Sequence, residues 1–481
     1  MPDRAATTIG IFVLVITLQG VCLADVEYSV LSLGTLGTES YGYALNASAQ
    51  TTGKSKTTGN DLHAFFRDGG AASSLIDLGT LGGDESYGYG INDTGQVTGW
   101  ALATSFFHAF RWTDIDGEGD ADPGEMVDLG TLDGNSSGAH AVNANGQVAG
   151  WSQKKVPLGA FTFQYEHAFL WSDLNDNNAS DPGEMIDLGT LSGNSQHKSY
   201  GYGMNDLGAV VGKSQSSTSS DHAFYWYDTD GNYTADAGEM IDLGTLGGST
   251  SQANDVNNAG QVVGSANNGS QTMAALWSDT GGDGPDSTDI LGLGDLGGGW
   301  SEAKAINDGG IVVGSSWTGL PGDDGAHAFL HRDSGTGMED LNDLIDPASG
   351  WILQEAWGIN DAGAIVGFGK NSSIAASYQA FLMLPVGEPT LAGDYNDNGI
   401  VDAADYTVWR DNVGQPAGTL PNDIDGVVIG PAQYDTWKLK FGSTLGASSL
   451  SQAPVPEPLG GTLLVIGSML AVWSIRPGRA S

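Results

Sequence analysis

The 481-residue chain carries 58 acidic against 17 basic side chains, a formal net charge of −41. Such a field repels nucleic acid and anionic lipid and draws divalent cations as counterions. The 74 glycines, with 13 Trp, 15 Tyr and 14 Phe, favour many short strands and tight turns over long helices.

The N-terminus has the parts of a secretory signal peptide: Arg4, an apolar stretch from Ile9 to Leu18, and small residues at the −3 and −1 positions of Cys22-Leu23-Ala24. Cleavage after Ala24 is expected, giving an exported chain that starts at Asp25. A lipoprotein anchor at Cys22 needs smaller residues before it than Gln19 and Val21. Cys22 is the only cysteine, so the mature chain has no thiol, which excludes disulfides, zinc–thiolate sites and cysteine nucleophiles.

Residues 25–384 repeat one unit seven times. An L-G-T-L strand begins at Leu33, Leu78, Leu129, Leu188 and Leu243, and in altered form at Leu293 and Leu341. An N-x-x-G-x-V-x-G block has its Asn at 46, 92, 143, 205, 257, 307 and 360. An H-A-F run is centred on Ala64, Ala109, Ala168, Ala223, Ala274, Ala328 and Ala380. The period is roughly 51 residues, in the range of four-stranded propeller blades. The N-x-x-G block predicts a hairpin whose Gly takes the left-handed position. The H-A-F-L-W run has strand spacing with both faces apolar, as when blades stack. Because the series opens on an L-G-T-L strand and closes on an H-A-F strand, the last blade lacks a fourth strand that the first strand of the chain can supply. Closure of this kind removes free sheet edges. The expected fold is all-β, a seven-bladed β-propeller; the alternative is an open β-solenoid.

Through D-L-G-T-L-G-G, I-N-x-x-G-Q-V-V-G and H-A-F-L-W, the stretch from Leu33 to Leu382 resembles the H-A-F repeat family of extracellular bacterial proteins. The resemblance implies an extracellular repeat protein without an assigned reaction. Ala49 in place of the turn Gly, and Met273-Ala274-Ala275 in place of His-Ala-Phe, depart from the pattern.

Three units carry an acidic insertion with EF-hand-like spacing after the H-A-F strand. The first offers Asp114, Asp116, Glu118, Asp120, Asp122 and Glu125, with Gly119 at position 6. The second offers Asp173, Asn175, Asn177, the Ala179 carbonyl, Asp181 and Glu184; the third offers Asp228, Asp230, Asn232, the Thr234 carbonyl, Asp236 and Glu239. Alternate oxygens at this spacing wrap one hard cation, and Ca²⁺ is the expected ligand. Loops two and three lack Gly at position 6, and a fourth, near Asp279 and Asp283, ends in Ile290 and reads as degenerate.

After a linker over 385–393, residues 394–442 form a different module. Asp394, Asn396, Asn398, the Ile400 carbonyl, Asp402 and Asp405 occupy calcium-loop positions, and Tyr406-Thr407-Val408-Trp409-Arg410 predicts a short helix. The segment resembles the calcium-loop-and-helix half of a type I dockerin, which implies docking to a cohesin-like partner. Its echo at Tyr434, Trp437 and Gly442 follows a loop that has lost ligand order, with Gln433 in place of an acid. A second linker, 443–454, leads to Pro456-Glu457-Pro458, a 17-residue apolar run over 459–475, then Arg476 and Arg479, arranged as a transmembrane helix with cationic anchors. This tripartite end resembles the PEP-CTERM sorting signal, which implies processing by an exosortase-type enzyme near Pro456, Glu457 and Pro458. The bland alternative is a permanent anchor.

The histidines His63, His108, His167, His222 and His327 recur once per unit, which predicts structural hydrogen bonding rather than one catalytic site. No catalytic residue or organic cofactor is assigned. Two functions follow: a calcium-stabilised surface or matrix protein using the propeller as a binding platform for a partner such as extracellular polysaccharide, or a polysaccharide-active enzyme recruited through the dockerin-like module, with paired carboxylates in the channel.

Overall fold

The computed structural model describes residues 27–70, 73–217, 220–279, 284–320, 325–332, 337–374 and 378–386, then 393–396, 400–416, 419–420, 423 and 427–443. The expected signal peptide with Ala24, and Asn398, Pro456, Glu457, Pro458 and the apolar run over 459–475, lie outside these residues. The chain divides into two compact units, Met1–Pro385 and Val386–Ser481. Among the described residues no helix is long and apolar enough to cross a membrane.

The first unit is built of seven four-stranded antiparallel sheets, the blades. Blade 2 shows the rule: inner strand Ser86–Ile91, second strand Val97–Leu102, third strand Phe107–Trp112 and outer strand Met126–Asp128. The third strand, which carries H-A-F, is buried on both faces at Ala109, Phe110 and Trp112. Its counterparts Trp171, Trp226 and Trp277 are also fully buried; each such indole contributes about 2–3 kcal/mol by leaving water. In blade 6 the altered motif Leu341–Leu344 is a 3-10 helix, and in blades 1, 2, 4 and 7 the outer strand ends at Asp77, Asp128, Asp242 or Ser32, so there L-G-T-L is a turn rather than the expected strand. Its leucine is buried between blades, and the next residue turns left-handed, with φ 69° at Gly79.

The closing strand Tyr28–Ser32 pairs antiparallel with Gln379–Pro385, Tyr28 opposite Pro385 and Ser32 opposite Phe381. It is the fourth strand of blade 7. The ring is closed, and the open solenoid is excluded.

Two polar networks stitch neighbouring blades. The Ala64 amide donates 2.8 Å to Ser86 Oγ of the next inner strand, and that hydroxyl donates to the Gly79 carbonyl. Ser40, Ser137, Ser199, Ser251 and Ser301 repeat the arrangement. The second network uses the Asn of N-x-x-G. Each Asn Nδ2 donates to the carbonyl of the equivalent Asn one blade on, from Asn46 through Asn92, Asn143, Asn205, Asn257, Asn307 and Asn360 back to Asn46, at 3.0–3.3 Å. The repeated Asn is therefore a ring clasp as well as a turn residue. Blade 3 departs from the common length: its second and third strands, Val148–Leu158 and Phe161–Trp171, have 11 residues each against six in blade 2.

The second unit contains α1 (Ala403–Asp411) and α2 (Pro431–Lys440). Tyr395, Val401, Leu420, Ile429 and Trp437 form its core. The two tryptophans act reciprocally: Trp409 Nε1 donates 2.8 Å to the carbonyl of Gly430, the cap of α2, and Trp437 Nε1 donates 2.7 Å to that of Asp402, the cap of α1. The sequence echo is thus an internal pseudo-duplication.

Candidate functional site: the channel and the acidic loops

The inner strands of all seven blades line a central cavity of about 430 Å³. Side chains meet it in levels counted back from the Asn ring. Three residues before each Asn stand Tyr43, Tyr89, His140, Tyr202, Asn254, Lys304 and Trp357 in blades 1 to 7. The position repeats; the residue does not.

Blades 7 and 1 to 4 form an aromatic arc. Centroids are 4.8 Å apart for Trp357–Tyr43, 5.0 Å for Tyr43–Tyr89, 4.9 Å for Tyr89–His140 and 5.1 Å for His140–Tyr202. One level outward, Tyr41, Tyr87 and Tyr200 extend it, with Trp100 stacked on Tyr87 at 4.9 Å. Lys54 Nζ lies 4.9 Å from the Tyr41 ring and 5.1 Å from Tyr87, and Lys213 lies 5.4 Å from Tyr200. Burial holds Tyr43 and Tyr202 as neutral phenols and lowers His140 to about 4, so that its imidazole is neutral.

Blades 5 to 7 form a polar arc of Gln252, Asn254, Asp255, Glu302, Lys304 and Glu355. Asn254 Nδ2 donates 2.9 Å to Glu302 and 2.7 Å to the Ala303 carbonyl; Gln252 Nε2 donates 2.7 Å to Asn254 Oδ1. Lys304 Nζ is 2.9 Å from Glu302 and 4.6 Å from the Trp357 ring, and Trp357 Nε1 donates 2.9 Å to Glu355. Asp255 stands where other blades have Ala44, Gly90, Ala141, Gly203, Ala305 or Gly358. It accepts from the Val256 and Ile306 amides at 2.9 and 3.0 Å. Burial raises Asp255 to about 6 and raises Glu355 as well. Sequence reasoning missed this site because it lies at positions where the repeats disagree, whereas repeat detection weights positions where they agree.

The histidines fall where repetition predicts. In blades 1 to 4 each pairs through Nδ1 with the outer-strand Asp at 2.8–2.9 Å: His63–Asp77, His108–Asp128, His167–Asp187 and His222–Asp242. His327 pairs with Asp340. In blade 7 the pair is Gln379 with Ser32, at 2.7 Å.

The acidic loops share one backbone. Positions 4 and 6 are left-handed in all three, at Gly117 and Gly119, Asp176 and Asn178, and Gly231 and Tyr233, so the missing glycines of loops two and three do not change the path. The position 6 amide donates to the position 1 carboxylate: Gly119 to Asp114, Asn178 to Asp173 and Tyr233 to Asp228, at 2.9–3.2 Å. Glu125, Glu184 and Glu239 are buried, each accepting amides from positions 2 and 9. Candidate ligand oxygens converge within 4.8 Å for Asp114, Asp116 and Glu125, for Asp116, Glu118 and Asp120, and for Asp228, Asp230 and Glu239. In loop two Asn175 and Asn177 instead donate to Asp181, and Arg111 of blade 2 reaches Asp173 at 3.3 Å. Asp122, Asp236, Ala179 and Thr234 lie on the exposed rim; Asn232 Nδ2 donates 2.8 Å to Asp236. The fourth loop closes through Asp289 rather than Ile290: Asp289 is buried and accepts the Asp286 amide, and the Gly284 amide donates 3.0 Å to Asp279. It is one residue shorter than the others.

In the second unit Asp394 and Asp405 are fully buried. Asp405 accepts the Asn396 and Asp402 amides at 3.0 and 2.8 Å, the arrangement of the blade glutamates. Ile400 lies in an isolated bridge position. In the second half Gln433 donates its amide to Asp423 and to the Val427 carbonyl, so an uncharged donor fills the middle of that loop. The oxygen donor sets suit a hard cation such as Ca²⁺.

Residues 134–275 match the family model described as a protein of unknown function, DUF3466. No curated protein matches the chain. Among solved structures, the Trypanosoma rangeli sialidase in complex with 2,3-difluorosialic acid is 9% identical with a TM-score of 0.34, over 82% of this chain and 60% of the sialidase. The polysaccharide lyase Uly1 is 9% identical with a TM-score of 0.42, over 70% and 87%. A protein of unknown function from Dyadobacter fermentans is 9% identical with a TM-score of 0.34, over 74% and 98%. Likeness at this level is one of chain path alone.

Proposed function

We propose that the chain is an exported, calcium-stabilised protein of the cell surface or extracellular matrix whose propeller binds extracellular polysaccharide in its central channel. The carrying observation is the broken symmetry of that channel, an aromatic arc facing a polar arc around about 430 Å³. Saccharides offer apolar C–H faces and hydroxyl edges, and such cavities suit them. The acidic loops, with buried closing carboxylates, support a stabilising role for Ca²⁺. The tripartite C-terminus supports sorting by an exosortase-type system, and the duplicated helices of the second unit support docking to a cohesin-like partner. A glycan array of the mature chain tests the central reading: saccharide binding that falls at least about tenfold in Trp357→Ala is expected, and an empty array overturns it.

A second reading, hydrolysis or cleavage of the bound polysaccharide, has one observation in its favour: Asp255 is an unrepeated channel carboxyl held protonated up to about 6, as a general acid requires. Product release from glycan substrates, abolished in Asp255→Asn, would establish it; intact substrates after prolonged incubation leave the binding role.

A further inference from the structure

We infer that the polysaccharide is acidic, its sugar lying among the tyrosines at the channel mouth and its carboxylate or sulfate ester received by the Lys54 ammonium. This rests on the polysaccharide reading above and names its ligand class.

Lys54 stands at the rim of the aromatic arc. Its Nζ is 4.9 Å from the Tyr41 ring, 5.7 Å from that of Tyr43, which lines the cavity, and 5.1 Å from that of Tyr87 in the next blade. Among the described residues no carboxylate pairs with this ammonium and no acceptor takes its N–H donors. Glu39 and Glu85 act on it through space, and each has a partner of its own: Lys56 lies 3.6 Å from Glu39, and the Tyr87 hydroxyl donates 3.1 Å to Glu85. Burial outweighs their charge and draws the Lys54 pKa down, the direction of an ammonium short of counter-charge.

The repeat contains its own control. Blade 4 has the same lysine over the same tyrosine, Lys213 at 5.4 Å from the Tyr200 ring, but there Asp221 approaches to 3.9 Å. Asp221 lies two residues before Ala223, the partner of Lys213 in register; two residues before Ala64, the partner of Lys54, stands Leu62. In blade 3 the same place holds Glu166, 2.8 Å from Lys198. Lys304, in the cavity wall, has Glu302 at 2.9 Å. In a chain with 58 acidic and 17 basic side chains, blade 1 thus keeps the lysine and replaces its acid with an apolar residue. Positive charge and N–H donors beside aromatic rings complement a sugar that carries C–H surface and an anionic substituent. The overall −41 field opposes such a ligand at long range, is screened over about 8 Å at physiological ionic strength, and cannot itself produce a preference for an acid.

Lysine, a point charge, receives carboxylate and sulfate alike, so the test separates them. Calorimetry of the mature chain uses tetragalacturonate beside its methyl ester, and a sulfated carrageenan tetramer beside its desulfated counterpart. At least one acidic member is expected to bind about tenfold or more tighter than its neutral counterpart, and the one that does so identifies the anion. Lys54→Met should bring that ratio to about one, and Lys54→Arg should keep it. Leu62→Asp should lower it, by giving Lys54 the partner that Lys213 has, and carries the test where Lys54→Met fails to fold. Equal or tighter binding of both neutral forms overturns the acidic assignment and leaves the polysaccharide reading standing. A preference that survives both Lys54→Met and Leu62→Asp overturns the role of Lys54. If none of the four binds, the acidic assignment fails, and the glycan array decides the polysaccharide reading separately.

Discussion

At residue scale, Ala49 is the position where the repeat breaks its own rule. It takes the turn glycine's place with φ 57°, a conformation that costs an L-residue roughly 1–2 kcal/mol. Ala49→Gly is expected to stabilise the chain by about 1 kcal/mol after the entropy cost of glycine, read as a raised urea midpoint; a lowered midpoint refutes the strain. The His–Asp pairs make a pH prediction. Hydrogen bonding to Asp77 and Asp128 raises His63 and His108, so their contribution is complete below the unfolded value of about 6.5 and is lost as pH rises through the folded one. Asp187, though burial opposes it, is held to about 2 by His167 and Lys154; its contribution is complete above about 3.9 and lost as pH falls toward 2. The pairs therefore work together between about pH 4 and 6.5. Denaturation at pH 5.5 and 8 should show a stability loss at the higher pH that shrinks in the His63→Gln, His108→Gln double variant.

At element scale, the Asn ring and the acidic loops do different work. Asn205 donates to the Asn257 carbonyl and accepts the Leu207 and Ala209 amides. Asn205→Ala leaves those groups unpaired in a buried place and should cost about 2–3 kcal/mol, a drop in melting temperature of several degrees. The loops are neutralised by Ca²⁺ if they bind it, so melting with calcium should exceed melting with chelator. Glu239→Gln should remove part of that difference and Arg111→Leu should not; equal midpoints with calcium and chelator refute the calcium reading. Loop two differs from its neighbours because Arg111 lends Asp173 a cation from inside the protein. That exchange was invisible in the spacing, since position 111 lies in another blade.

At the scale of the whole molecule, closure is what the repeat cannot achieve unit by unit. Removing Tyr28–Ser32 bares the edge of Gln379–Pro385 and should both destabilise the propeller and promote association through the free strand; a monomeric, undiminished variant would show that closure is dispensable. Peptide mapping of surface-derived material should end near Pro458 if the tail is processed, and a retained tail leaves a permanent anchor.

The sequence by itself determined the seven repeats, the order of the H-A-F and hairpin strands within them and which strand could complete the last blade, because each depends on local periodicity and on where the repeat starts and stops; that the ring closes rather than opening into a solenoid was decided by the pairing of Tyr28–Ser32 with Gln379–Pro385. It also determined the calcium-type spacing, since such a loop is contiguous. Only the tertiary structure decided that L-G-T-L is an anchored turn in blades 1, 2, 4 and 7 and a 3-10 helix in blade 6, because whether its leucine extends a strand or plugs between blades depends on the neighbour. It likewise decided that Asn closes a ring and that Asp289 closes the fourth loop. Above all it decided the channel. Tyr43, Tyr89, His140, Tyr202, Asn254, Lys304 and Trp357 are about 50 residues apart in the chain and become one surface only when seven inner strands converge on one axis.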